Sequence, residues 1–186
     1  MTVGSGGPHG FHIAQEARLT ARELATCDFS FDVSEEAVPP FDGNDIVNVV
    51  QVAPYRKAYD SDGELEPADG QFLFAARDAG RVCGYVIVSH AWNHFCQVDD
   101  LAVDCGMRRR GLGVQLLDTA RAWAAARGLP GMRLETQSNN VPACRLYARY
   151  GFQLGGHDRH LYSTLLLPQR ETALYWYLFF AGNQCG

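Results

Sequence analysis

The most chemically suggestive stretch of the 186-residue chain is Arg108-Arg109-Arg110-Gly111-Leu112-Gly113. Glycines at this spacing let successive backbone N–H groups converge on one anion with no Cβ in the way. A helix starting beside them adds its positive dipole end, and the three arginines supply further cationic partners for a phosphate. The pattern predicts a pyrophosphate cradle. A Walker loop is excluded because neither lysine nor a hydroxyl residue follows Gly113. A dinucleotide-binding loop would need its third glycine where Leu116 stands.

Carboxylates and one tyrosine complete the set that could do chemistry. Asp99 and Asp100 lie just before the loop on a strand candidate, where alternation sends them to opposite faces, so at most one meets a reaction cleft. Asp100 is the favoured one, as a base or as the anchor of a cationic substrate. With an ordinary pKa near 4 it would need burial or a water relay to accept a proton from an ammonium. Solvated surface charge is the competing explanation for both. Glu135, on a neighbouring strand candidate, either adds negative charge to the same pocket or pairs with an arginine. Tyr147 follows Asn140 by seven residues, nearly in line at a hundred degrees per residue. A core tyrosine and a helix N-cap are the plainer roles for these two. The pairs His90/His94 and His157/His160 lack a carboxylate or cysteine to complete a metal set, so no metal site is expected. The six cysteines stand singly, and most of them read as small buried apolar residues.

These residues require elements to hold them. Phe11 to Thr26 suits a strand and short helix, and Asp28 to Asp45, acidic and broken by Pro39 and Pro40, reads as mostly loop. Ile46 to Val52 is β-branched and strand-like, and Asp60 to Gly70 is an acidic loop. Gln71–Arg77 and Arg81–Ser89 flank Asp78-Ala79-Gly80 as a hairpin. Phe95 to Val103 is the strand before the glycine loop. Leu116, Leu117, Ala120, Trp123 and Ala124 recur at helical spacing within Val114–Arg127, leaving Asp118, Arg121 and Arg127 on the solvated face. Met132–Thr136, Phe152–Gly155, Leu161–Leu167 and Ala173–Phe180 read as strands, and Val141–Tyr150 as a helix ended by Gly151.

Composition narrows the class. Sixteen basic against 21 acidic side chains leave a formal net charge of −5, and 47% hydrophobic content suits one core-forming domain over residues 11–186 behind a loose Gly-rich tail, 1–10. That charge argues against nucleic-acid binding. The most apolar run, Thr172 to Ala181, is about half the roughly 20 residues a membrane span needs. The N-terminus has no basic region followed by an apolar run, so no membrane partner is expected and the cytoplasm is the default location.

Arg108-x-x-Gly111-x-Gly113 after Val98-Asp99-Asp100-Leu101-Ala102-Val103, together with Asn140-x-x-Ala143-x-x-x-Tyr147-x-x-x-Gly151-Phe152, resembles the GNAT N-acetyltransferases over about Gln71 to Phe152. The run Leu134-Glu135-Thr136-Gln137, the aromatic Tyr175-Trp176-Tyr177, and Pro54-Tyr55-x-Lys57-x-Tyr59 look like the streptothricin acetyltransferases within that family. Pro142 departs from the expected alanine but is tolerable in a first helical turn.

The resemblance implies an α/β (α+β) fold, a mixed central sheet of about six to seven strands flanked by about four helices. It implies acetyl-CoA as cosubstrate, held by Leu101, Ala102 and Val103, by the loop through Leu112 and Gly113, and by Asn140 and Ala143. It makes Tyr147 the acid that protonates the leaving thiolate. It puts Asp99, Glu135, Tyr55 and Tyr59 on the side of a small cationic, streptothricin-like amine. Dimers are common in the family, so a homodimer is admitted. Acetylation of another amine (an aminoglycoside, a polyamine or a peptide N-terminus), a non-catalytic acyl-CoA sensor, and a structural partner protein are the other readings.

Overall fold

The computed structural model describes residues 10–58, 63–165 and 171–180. Its contacts group the chain into two compact units, residues 1–31 with 58–129 and residues 32–57 with 130–186.

In the first unit, β1 (His12–Glu16), β4 (Gln71–Asp78), β5 (Arg81–His90) and β6 (Cys96–Val103) lie side by side in that order, each pair antiparallel. The β4–β5 hairpin closes through Ala79 and Gly80, both at positive φ, the two-residue turn whose twist matches that of the strands. Helix α1 (Ala21–Leu24) is only four residues long and is fixed by a capping box: Thr20 and Glu23 satisfy each other's backbone N–H groups. Glu23 also accepts from Arg77, which reaches Glu16 on β1. Leu19, Leu24, Leu73, Ala75, Val82, Tyr85 and Ile87 make the core beneath this helix. Helix α2 (Leu112–Ala125) buries Leu112, Leu116, Leu117, Ala120, Trp123 and Ala124, the stripe its periodicity predicts. Gly84 lets β5 and β6 approach closely, since a Cβ there would sit 2.6 Å from the Ala102 carbonyl oxygen.

In the second unit, β9 (Ala173–Phe179) runs between β7 (Gly131–Gln137) and β8 (Gln153–Asp158), antiparallel to both. Helix α3 (Val141–Tyr150) buries Val141, Cys144 and Tyr147. A separate two-stranded sheet pairs β2 (Phe31–Val38) with β3 (Asn48–Lys57).

Two local expectations fail. The stretch 28–45, expected to be mostly loop, contains β2, whose Phe31, Val33 and Ala37 are buried; this period-two signal was masked by its acidic residues and the prolines after it. Residues 161–165 form turns rather than the expected strand, and 166–167 lie outside the described residues, as do 1–9 of the expected tail. The strands of the two units outside the β2–β3 pair number four and three, the expected total, and the described residues hold three α-helices rather than four. No helix of the described residues is long and apolar enough to cross a membrane.

Candidate functional site

The glycine loop opens α2 as its composition predicts. Gly111 sits at φ 81°, ψ 1° as the N-cap, a left-handed conformation with no side chain to occupy the space before the helix. The first N–H groups of α2 have no intrahelical acceptor and face the loop. Arg109 is also left-handed at φ 59° and exposed, and Arg110 is exposed with its guanidinium over the Phe11 ring. Arg108 differs from its two neighbours. Its guanidinium donates to the carbonyls of Val103, Phe29 and Ser30 at 3.1, 3.1 and 2.7 Å, so its side chain ties the loop to β6 and the segment after α1. Asp104 caps the short turn between them through the Gly106 N–H and pairs with Arg81.

Upstream, the β5–β6 register steps from Ile87 opposite Asp100 to Val88 opposite Val98, leaving Asp99 as the extra residue of a β-bulge. The bulge interrupts the strict alternation assumed from the sequence, and both aspartates are solvent-accessible. Protein crowding its carboxyl is nonetheless the largest influence on Asp100 and pushes it above the ordinary carboxylate range. The Tyr85 hydroxyl, donating to Asp100 Oδ2 at 2.7 Å, and the Leu101 N–H pull the other way without cancelling it. Leu101, Ala102 and Val103 are half-buried on β6.

The second unit assembles a polar cluster around the turn from β7 to α3. Lys57 Nζ lies 2.6 Å from both carboxylate oxygens of Glu171, and the two side chains are only 12% and 6% exposed. Asn139 Nδ2 donates to Glu171 at 2.9 Å and to the Tyr55 hydroxyl at 2.8 Å. Ser138 donates its hydroxyl to Glu36 and receives the Thr172 N–H, while its carbonyl accepts from Ala37. Glu135 accepts from the Tyr162 hydroxyl. Burial raises the Glu135 carboxyl and Glu171 adds to this, against Tyr162 and Lys57. Burial likewise raises the phenols of Tyr55 and Tyr162, keeping both protonated, Tyr55 as the acceptor from Asn139 and Tyr162 as the donor to Glu135.

Asn140 caps α3 by accepting from the Ala143 N–H at 3.2 Å. Tyr147 is 7% exposed, its ring against Phe152 and Trp176. Thus Asp100 and the loop belong to one unit, and Tyr55, Glu135, Asn140, Ala143 and Tyr147 to the other. Tyr59 lies outside the described residues. Tyr85, Glu36, Lys57 and Glu171 were missed as site residues, although Lys57 stands in a segment that carries the sequence resemblance. His157 packs on Phe41, and no cluster of metal-ligating groups occurs among the described residues.

The glycine-capped α2 and the asparagine-capped α3 fall on the two motifs by which the sequence resembles the GNAT acetyltransferases. The chain belongs to the Acetyltransferase (GNAT) family, whose model matches residues 23–152. Its relatives include a streptothricin acetyltransferase of Escherichia coli, 40% identical over 72% of this chain and 75% of that protein. Another, from Streptomyces lavendulae, is 30% identical over 94% of this chain and 97% of its own. Among solved structures, a protein of Bacillus anthracis str. Ames described as a streptothricin acetyltransferase, in complex with acetyl coenzyme A, superposes with a TM-score of 0.77. It is 30% identical and covers 92% of this chain and 100% of its own. The chain is therefore an N-acetyltransferase with the GNAT fold.

Proposed function

We propose that the protein transfers the acetyl group of acetyl-CoA to an amino group of streptothricin, on its β-lysine moiety, and so inactivates the antibiotic. The observation that carries this reading is likeness to a streptothricin acetyltransferase over 94% of the chain, which spans the loop unit and the polar-cluster unit alike. Residues 11–186 then act as one acetyltransferase domain.

The loop fits the donor's diphosphate. Gly111 leaves the helix start open, the N–H groups of Leu112 and Gly113 supply donors, and Arg109 and Arg110 supply charge. Arg108 acts by shaping the loop, since carbonyl oxygens already engage its guanidinium. Backbone groups of Leu101, Ala102 and Val103 pair with the pantetheine arm as an added strand would, and Asn140 and Ala143 bind it from α3.

Transfer is direct, within a ternary complex. Asp100 accepts a proton from the acceptor ammonium. The neutral nitrogen attacks the thioester carbonyl carbon, a C–N bond forms, the C–S bond breaks, the Tyr147 hydroxyl protonates the departing thiolate, and the second proton lost from the nitrogen restores the phenol, while Asp100 returns the first to solvent. Starting from the ammonium, the balance is one amide, one free thiol and one proton released. The raised carboxyl of Asp100 supports its role, because a base closer to neutrality is better matched to an amine. The carboxylates of Asp99 and Glu135 and the phenol of Tyr55 are the groups offered to the acceptor, because negative charge suits a polycation.

Release of coenzyme A thiol from acetyl-CoA, followed with streptothricin and in parallel with an aminoglycoside and spermidine, tests this. Rapid release with streptothricin is expected. Release with another amine only would keep the reaction and replace the substrate. Cofactor binding without release to any acceptor would favour a sensor.

A further inference from the structure

We propose that Tyr85 is a positioning residue for the acceptor amine, its hydroxyl fixing one carboxylate oxygen of Asp100 so that the other is presented to the substrate. This inference rests on the reading of Asp100 as the acceptor-side carboxylate.

Tyr85 and Asp100 stand on adjacent strands, Tyr85 opposite Ala102 and Asp100 opposite Ile87, so they meet diagonally across the β5–β6 pair. Tyr85 is 8% exposed and packed into the core with Leu19, Leu24, Leu73 and Val82, with Phe29 edge-on at 5.4 Å between ring centroids. Such packing leaves the ring little freedom, and its hydroxyl donates to Asp100 Oδ2 at 2.7 Å. The neighbouring bulge at Asp99 bends β6 where this carboxylate sits. A strand aspartate that is accessible to solvent would ordinarily sample several rotamers. Here a donor anchored in the core selects one, which is what holding an acceptor in attacking geometry requires. A phenylalanine at 85 would fill the same core space, so packing alone gives no reason for the hydroxyl.

The titratable and charged groups around the pair are Tyr85 itself on β5, the Cys27 thiol following α1, and Asp99 beside Asp100 on β6. A hydroxyl donating to an ionised carboxylate favours the ionised form. Removing it therefore raises the Asp100 carboxyl further.

The test uses the full chain with 13C-labelled aspartate carboxyls, the Asp100 signal being assigned by its loss in Asp100→Asn. In Tyr85→Phe the Asp100 midpoint should rise by about one pH unit. The acidic limb of kcat/KM for streptothricin should rise with it, while KM for acetyl-CoA stays as in wild type. A midpoint that does not move, or a shifted midpoint with an unmoved acidic limb, overturns the inference. Asp100→Asn turning over at the wild-type rate would overturn the catalytic reading of Asp100 and this role with it. If wild type acetylates a different amine, the same readouts taken with that amine decide the role of Tyr85 although the substrate assignment has failed.

Discussion

Replacing Lys57 by methionine removes the ammonium that Glu171 faces in the second unit and leaves the carboxylate behind. The pair is held at 2.6 Å and the side chains are 12% and 6% exposed, so water can compensate little of the loss. Breaking a buried ion pair by deleting one partner costs about 3–5 kcal/mol, because the surviving charge stays desolvated. Glu171 keeps the Asn139 amide as a donor, which places the expected cost near the lower end, about 3 kcal/mol. For a chain of this length that lowers the melting midpoint by about 6–12 °C. Adding Glu171→Gln removes the orphaned charge and should restore most of the loss, since the glutamine carbonyl still accepts from Asn139. Urea denaturation of wild type, both single variants and the double variant gives the coupling directly. A Lys57→Met cost below about 1 kcal/mol, the range of solvent-screened surface pairs, would refute the reasoning. So would a double variant that loses the sum of the two single losses.

Other expectations follow from single contacts. Glu23 is held down to about 2 by the Thr20 hydroxyl and backbone N–H and then by Arg77, so its contribution is complete above its ordinary value of 4.5 and is lost as pH falls through about 2. Glu23→Gln should accordingly flatten the stability profile between pH 4.5 and 2, and an unchanged slope across that window would remove the capping box from the ledger. Gly111→Ala meets no atom within 4 Å, so its cost is the left-handed backbone alone, about 1–2 kcal/mol in chemical denaturation. The same variant should raise KM for acetyl-CoA, and an unaltered KM would count against the loop as the diphosphate site. Asn140→Ala deletes the bond to the Ala143 N–H and should cost about 1 kcal/mol, with a Ser replacement recovering most of it.

Much of this protein was legible in one dimension because the relevant physics is local. The punctuation of Gly111, Gly128 and Gly151 and the apolar repeat from Leu116 to Ala124 bounded α2 and α3 to within two residues, since caps and the 3.6-residue period are set by neighbours in sequence. The hairpin around Ala79 and Gly80 followed for the same reason. The pair of motifs at 108–113 and 140–152 carries the family resemblance in the sequence alone. β2 was lost where acidic residues obscured a real alternation, and the strand expected at 161–167 was a propensity that turns overrode over its described residues.

Tertiary structure decided what no local pattern carries. Arg108 reads as a phosphate ligand in sequence and becomes a brace because three carbonyls, two of them nearly eighty residues away, converge on its guanidinium. Nothing in its local sequence marks Glu171 as buried, yet it is the buried partner of Lys57, 114 residues distant. Asp100 acquires its raised carboxyl and its tyrosine partner only when β5 and β6 pair across a bulge. Residue type and spacing determined which chemistry was available. Desolvation and hydrogen-bond partnership, which depend on what long-range folding brings within 3 Å, decided which side chains are built for it.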